Sequence, residues 1–206
     1  MTLNEEWLDD WMRHRIDAFG ISARALWGSP SAEENERARF DALYQSLPQP
    51  LSHVRSLLDV GCGFGRLRED LRRRHWTGRY VGIEASESVF SRIPPPASIE
   101  DSTFVYGQVH DFPLDQFDVV VALGIFNHSQ AFADAERGLH ETIVAMWQRT
   151  QMACIVDFLS PNVDYSSDIA IHRNFSDVLR EASLHTHFFS LNHAYLPYEY
   201  MLSLYR

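Results

Sequence analysis

The sequence contains no lysine; its 18 basic residues are all arginine. Schiff-base chemistry on a lysine and the phosphate-binding lysine of P-loop proteins are therefore excluded. Cysteine is scarce too. Cys62 and Cys154 are too few for a disulfide framework and lie in no zinc-type spacing, so a reducing, cytoplasmic setting is expected. Long apolar runs are missing: the stretch around Val119 to Phe126 falls far short of a bilayer span. Met1 to Ile16 carries Glu5, Glu6, Asp9 and Asp10 where a secretory leader would be basic and apolar. No membrane partner is expected. With 28 acidic residues and a net charge of -10, a nucleic-acid partner is not expected either, since that affinity rests on cationic side chains. What is present, 206 residues with 45% hydrophobic and 13% aromatic, suits one folded domain with a substantial core.

The spacing of apolar residues divides the chain. Trp7, Leu8, Trp11, Met12 and Ile16 recur at helical spacing up to Phe19, and Gly20 ends that helix. After an aromatic-bearing turn through Trp27, Ser31 and Glu34 read as the capping box of a second helix. Its apolar face is Phe40, Leu43, Tyr44 and Leu47, and Pro48 and Pro50 stop it. Residues 1–50 are expected to form a helical cap and residues 51–206 the main domain. There, strands at 57–60, 80–84, 104–106, 117–123 and 153–158 alternate with helices near 66–75, 86–92, 131–149 and 176–182. Strands at 186–191 and 200–205 close the chain as an antiparallel hairpin. Continuously apolar strands alternating with helices predict a Rossmann-like, doubly wound α/β fold. Its seven-stranded sheet is mostly parallel, with a C-terminal antiparallel hairpin strand and N-terminal helices added. No internal repeat stands out, and the one low-complexity tract is Pro94-Pro95-Pro96.

Leu57-Leu58-Asp59-Val60 runs into Gly61-Cys62-Gly63-Phe64-Gly65 and then a helix. Such a turn presents backbone N–H groups and a helix N-terminus to a ligand. Glu84, at the tip of the next strand, is placed to accept hydrogen bonds from a ribose diol. Together these features imply an adenosine-type ligand. The dinucleotide fingerprint G-x-G-x-x-G needs a glycine at position 66, where this chain has Arg66. That speaks against a nicotinamide-dependent oxidoreductase, the alternative reading of such a loop.

Asp59-Val60-Gly61-Cys62-Gly63-Phe64-Gly65 instead resembles motif I, D-x-G-x-G-x-G, of the class I S-adenosylmethionine (AdoMet)-dependent methyltransferases. Tyr80 to Ser86 is similar to that family's second motif. Phe104 to Pro113 is similar to the segment leading to its adenine-side loop, and Phe117 to Val121 to its F-D-x-V strand. The resemblance implies AdoMet as cofactor. It implies that Asp59, Gly61, Cys62, Gly63 and Gly65 hold the methionine side, that Glu84 binds the ribose and that Ala85 lines the adenine, with Val109 and Leu123 completing the set. Where the family commonly has an acid for the adenine amino group, this chain has Gln108. Its amide carbonyl accepts the same hydrogen bond without charge assistance, and Asp111 is the alternative.

Methyl transfer from a sulfonium needs alignment and exclusion of water, with a base where the acceptor is a hydroxyl. In the family, the segment after the fourth strand, here Gly124 to Ser129, faces the transferring methyl. His128 is the candidate catalytic base, as a side chain titrating near neutral pH; substrate contact or packing under the cofactor are its other roles. Asn127-His128-Ser129 is not the N-P-P-Y-type signature of amino-group methylation. Methylation at oxygen rather than nitrogen is therefore expected; the short chain favours a small acceptor, and the resemblance implies a saccharide or secondary metabolite. A non-catalytic AdoMet-binding protein is the other alternative. Residues 162–168 and 193–198 are candidates to shape the acceptor pocket. His185 and His187, two apart, would put two imidazoles on one strand face; with no third ligand evident, no metal is expected. Arg66 to Arg74 read as a solvated helix face rather than an RNA-binding stripe. Trp27 either caps the cofactor or packs between the first two helices. The helix bearing Trp7 and Trp11 either covers the site or makes a homodimer contact.

Overall fold

The computed structural model describes residues 3–95, 102–165 and 167–206, so Pro96 and Ser166 lie outside the described residues. Its strands are β1 (Ser56–Val60), β2 (Arg79–Glu84), β3 (Ser102–Tyr106), β4 (Phe117–Ala122), β5 (Thr150–Leu159), β6 (Phe189–Leu196) and β7 (Glu199–Tyr205). They form one seven-stranded sheet in the order β3-β2-β1-β4-β5-β7-β6. β1 to β5 run parallel, and β7 lies antiparallel between β5 and β6. This is the doubly wound architecture expected from the alternation of strands and helices.

Side chains alternate across each strand, so every core strand serves two faces. Leu58 and Val120 point toward one face, where α6 (Ala135–Gln148) and α7 (Phe175–Ser183) contribute Ile143, Met146, Val178 and Ala182. Leu57 and Val119 point to the other, against Phe40 and Leu43 of α3 (Ala32–Gln45) and Leu67 and Leu71 of α4 (Arg66–Arg73). Burial on both faces is why these strands read as unbroken apolar runs. A smaller cluster, Met12, Ile16, Ala25, Phe64 and Val89, joins α1 (Glu5–Phe19) and α2 (Ala23–Trp27) to the glycine loop and α5 (Glu87–Phe90).

Several boundaries differ from expectation. The turn before Trp27 contains α2, capped by Ser22, whose hydroxyl accepts the Ala25 N–H, and ended by left-handed Gly28. Five residues are too few to show a periodicity. Ser31 precedes α3 without a side-chain capping bond, so the expected capping box does not form. α6 starts at Ala135 rather than near Ala131, because the Asp134 carboxylate accepts the Arg137 N–H and fixes the helix start there. β5 begins earlier, at Thr150, and β6 later, at Phe189. His185 and His187 consequently do not share a strand. His185 lies just beyond α7, its N–H bonded to the Ala182 carbonyl.

Candidate functional site

Strand order reverses between β1 and β4, and open α/β sheets place their ligand crevice at the carboxyl ends of the strands there. A cavity of about 550 Å³ lies at this point. All the residues expected on the cofactor side line it except Gly65, which sits at the left-handed start of α4 with Phe104 against it. The N–H groups of Gly61 and Cys62 both donate to the Ile83 carbonyl (2.8 and 3.0 Å), tying the loop to the end of β2. Gly61 has φ 74°, and a Cβ there would lie 2.3 Å from Ile125 Cγ2. Both the turn and the close approach require glycine.

Two buried carboxylates stand at the strand tips. The Tyr80 hydroxyl donates to Asp59 Oδ2 at 2.6 Å. Burial pushes the Asp59 carboxyl up to about 7; the Tyr80 bond opposes this and the Glu84 charge adds to it. Glu84 accepts from the Gly63 and Ser86 N–H groups, each at 2.9 Å. Burial raises its carboxyl as well, with these N–H bonds pulling the other way. A carboxylate offers about four lone-pair sites, so capacity for a diol remains. Burial, with Asp59 and Glu84 close by, raises the Cys62 thiol, which makes it a small, unreactive wall residue. Gln108 Nε2 donates to Glu5 of α1 at 2.6 Å, leaving the amide carbonyl as an acceptor. Asp111, the alternative, is exposed. Arg66 is paired with Glu36 and Glu33, Arg74 with Asp41 and Asp70, and Arg73 with Asp70. These arginines fasten α4 to α3 and to itself.

The opposite wall comes from distant parts of the chain. Asp9 of α1 accepts from the Ser86 hydroxyl and from both the N–H and hydroxyl of Ser88, at 2.7–2.9 Å. Burial raises its carboxyl, but these bonds and Arg13 outweigh that and hold it below the usual range. Trp7 and Trp11 stack on each other, and both rings tilt against His128, with centroids 5.9 and 5.6 Å away. His128 Nδ1 and Asn127 Oδ1 are buried without a hydrogen-bond partner among the described residues. Burial, then the nearby Arg15, pushes the His128 imidazole down to about 4. It is therefore neutral at physiological pH and does not titrate near neutrality as expected. The Ile171 N–H donates to the Asn127 carbonyl and the Ser129 N–H to that of Ile169, both at 2.9 Å, joining the segment after β4 to the loop after β5. From that loop and the β6–β7 hairpin, Tyr165 and Tyr198 reach the cavity wall with rings edge-on at 5.4 Å. His193 instead packs on Phe175 and Tyr200.

Residues 57–145, from β1 through most of α6, match the family described as a methyltransferase domain. That segment is similar to methyltransferase domains. No curated protein sequence matches it. Among solved structures, the magnesium protoporphyrin IX methyltransferase of Synechocystis PCC 6803 with bound AdoMet superposes with TM-score 0.70. Identity is 14%, over 100% of this chain and 98% of that one. Human N-acetylserotonin methyltransferase in complex with AdoMet gives TM-score 0.61 and 14% identity, over 96% of this chain and 65% of that one. An AdoMet-dependent methyltransferase from Mesorhizobium loti gives TM-score 0.56 and 16% identity, over 82% and 98%. At these identities the likeness is one of fold, the class I methyltransferase fold.

The sheet and the helices before it share one feature that motif spacing did not reveal. Arg39 of α3 is buried and donates through Nε to Glu199 at 2.6 Å, with a second bond from Nη2. Asp157 lies 3.6 Å from the same guanidinium and accepts the Gly124 N–H at 2.6 Å. Burial beside Glu199 pushes Asp157 up, against the pull of Arg39. The Arg39 guanidinium also stacks 3.9 Å over Trp27, whose indole N–H donates to Glu36. Trp27 thus both lines the cavity and packs on α3. One signal was visible beforehand: Asp157 is an acid inside the otherwise apolar Ala153 to Phe158 run.

Among the described residues, no helix is long and apolar enough to cross a membrane.

Proposed function

We propose that this protein binds AdoMet and transfers its methyl group to the hydroxyl of a small molecule, a saccharide or secondary metabolite, in the cytoplasm. The observation carrying this reading is a single cavity. The glycine turn, Asp59, Glu84, Asn127 and His128 all line it.

The residues fit the cofactor: two buried carboxylates suit an ammonium and a diol, and the glycine turn leaves no room for a Cβ. AdoMet, when bound, supplies a methyl group activated on a sulfonium. Asp59 and the 61–65 turn would hold its amino-acid end and Glu84 its ribose. Ala85, Val109 and Leu123 would line the adenine side, and Gln108 would accept from the adenine amino group. His128 would take the hydroxyl proton. Depressed basicity keeps the imidazole neutral and ready to accept. A hydroxyl undergoing alkylation is far more acidic than a free alcohol, so a weak base suffices. Trp7 and Trp11 would shield that proton from water, as residues 1–50 close over this subunit's own site rather than forming a homodimer contact. Tyr165 and Tyr198 would offer ring faces to the acceptor.

Calorimetric titration with AdoMet and with S-adenosylhomocysteine, followed by a screen for S-adenosylhomocysteine formation against hydroxyl-bearing metabolites, tests this. Binding of neither at millimolar concentration overturns the proposal. Binding with no turnover across the screen identifies a non-catalytic AdoMet-binding protein instead.

A further inference from the structure

His140, Glu181 and His185 meet between α6 and the end of α7. His140 Nδ1 lies 3.0 and 3.1 Å from the two Glu181 oxygens, and His185 Nε2 lies 2.8 Å from Oε1. Glu181 lies in the last turn of α7 and His185 just beyond its end, folded back onto it. The side chains of Glu181 and His185 are 12% and 7% exposed, whereas His140 is 49% exposed. Two groups are thus held by packing, and the third opens the cluster to solvent. The neighbouring cations Arg137 and Arg180 are engaged by Glu141 and Asp177.

We propose that His140 Nδ1, a Glu181 oxygen and His185 Nε2 form a binding site for a zinc-class divalent ion that clips α6 to α7, with water as fourth ligand. Two imidazoles and a carboxylate match the donor preference of zinc and not the all-oxygen shells of calcium or magnesium. Tetrahedral bonds near 2.1 Å separate ligand atoms by about 3.4 Å. The contacts at 2.8 and 3.0 Å therefore need to open by only roughly half an ångström, within reach of side-chain rotation. Two neutral imidazoles and one carboxylate leave the loaded site with a single positive charge, in a chain of net charge -10. α7 follows the loop that brings Tyr165, Ile169 and Ala170 to the cavity, and the clip would fasten the opposite, C-terminal end of that helix to α6.

The full chain, tag-free and stripped of metal with a chelator, is titrated with zinc chloride by calorimetry, and its thermal unfolding is followed with and without zinc. One equivalent binding with a raised Tm is expected. His140→Ala removes a half-exposed imidazole, so the chain still folds; its zinc affinity falls by more than about tenfold and the Tm shift disappears. Glu181→Gln behaves alike, and His187→Ala, outside the trio, binds as the original chain does. Cobalt binding quenches Trp147, whose ring centroid is 6.2 Å from that of His185. Absence of zinc-dependent heat and Tm shift, or unchanged binding by His140→Ala, overturns the proposal and leaves a hydrogen-bonded clasp only.

Discussion

At the glycine-loop end of the cavity, Asp59, the turn and Glu84 come from two adjacent strands paired in register, Asp59 beside Gly82 and Val60 beside Ile83. Around His128, Trp7 and Trp11 come from α1, and Tyr165 and Tyr198 line the same cavity from a loop and a hairpin far along the chain. Beneath them, Arg39 meets Glu199 across 160 residues of sequence. The first is a strand–turn–helix–strand unit contained within about 30 residues of sequence. The second exists only once the sheet has brought remote segments together. Damage at the first should cost ligand binding with the fold intact, and damage at the second should reach stability or turnover.

The largest effect is expected at Arg39. Its replacement by Ala strands two buried acids, Glu199 and Asp157, and should lower unfolding free energy by about 3–5 kcal/mol, read by urea titration. A loss below 1 kcal/mol would show that the remote end does not depend on this pair. Next comes His128→Ala. It should reduce kcat on the order of a hundredfold while AdoMet affinity holds. The acid limb of the original pH–rate profile should fall near 4 and not near 6.5, because burial keeps the imidazole neutral between those values. Gly61→Ala, at positive φ and against Ile125, should weaken AdoMet binding by about 2 kcal/mol, read by calorimetry, with secondary structure unchanged.

A subtler effect concerns protons. Folded Asp59 keeps its proton up to about 7, whereas an unfolded aspartate loses it near 3.8. The folded state thus binds more protons in that window, and stability contributed here is lost as pH rises through it; Glu84, raised too, acts in the same sense. AdoMet affinity should run the other way and rise toward pH 7 as the carboxylate forms to meet the ammonium. Asp59→Asn should flatten both trends. A pH-independent affinity in the original chain would contradict the assigned role. The smallest change is expected for Gln108→Ala, which should cost about 1 kcal/mol of AdoMet binding and leave kcat alone.

The contrast also explains what the sequence disclosed. The alternation of strands with helices, the glycine turn and Glu84 were legible because each is a short local pattern along the chain. The position of His128 was legible as well. Its basicity was not, since the rings that desolvate it belong to α1. Arg39 was hidden within an apolar helix face, because nothing near Phe40 signals a partner at Glu199. His185 was read with His187, whereas its companions Glu181 and His140 come from α7 and α6. Groups whose partners are assembled by topology leave no local spacing to read.

The absence of lysine acquires a structural meaning at the joint between α3 and α4. That joint is fastened by Arg66 on Glu36 and Arg74 on Asp41, and their acidic partners raise both guanidinium groups above their ordinary value. Tyr44, which donates to Asp70 at the same joint, is also pushed upward by burial and by Asp70. An ammonium would lose its charge near pH 10.4, where a guanidinium keeps it. These fastenings between α3 and α4 therefore keep their charge in mild alkali, where an ammonium would release it.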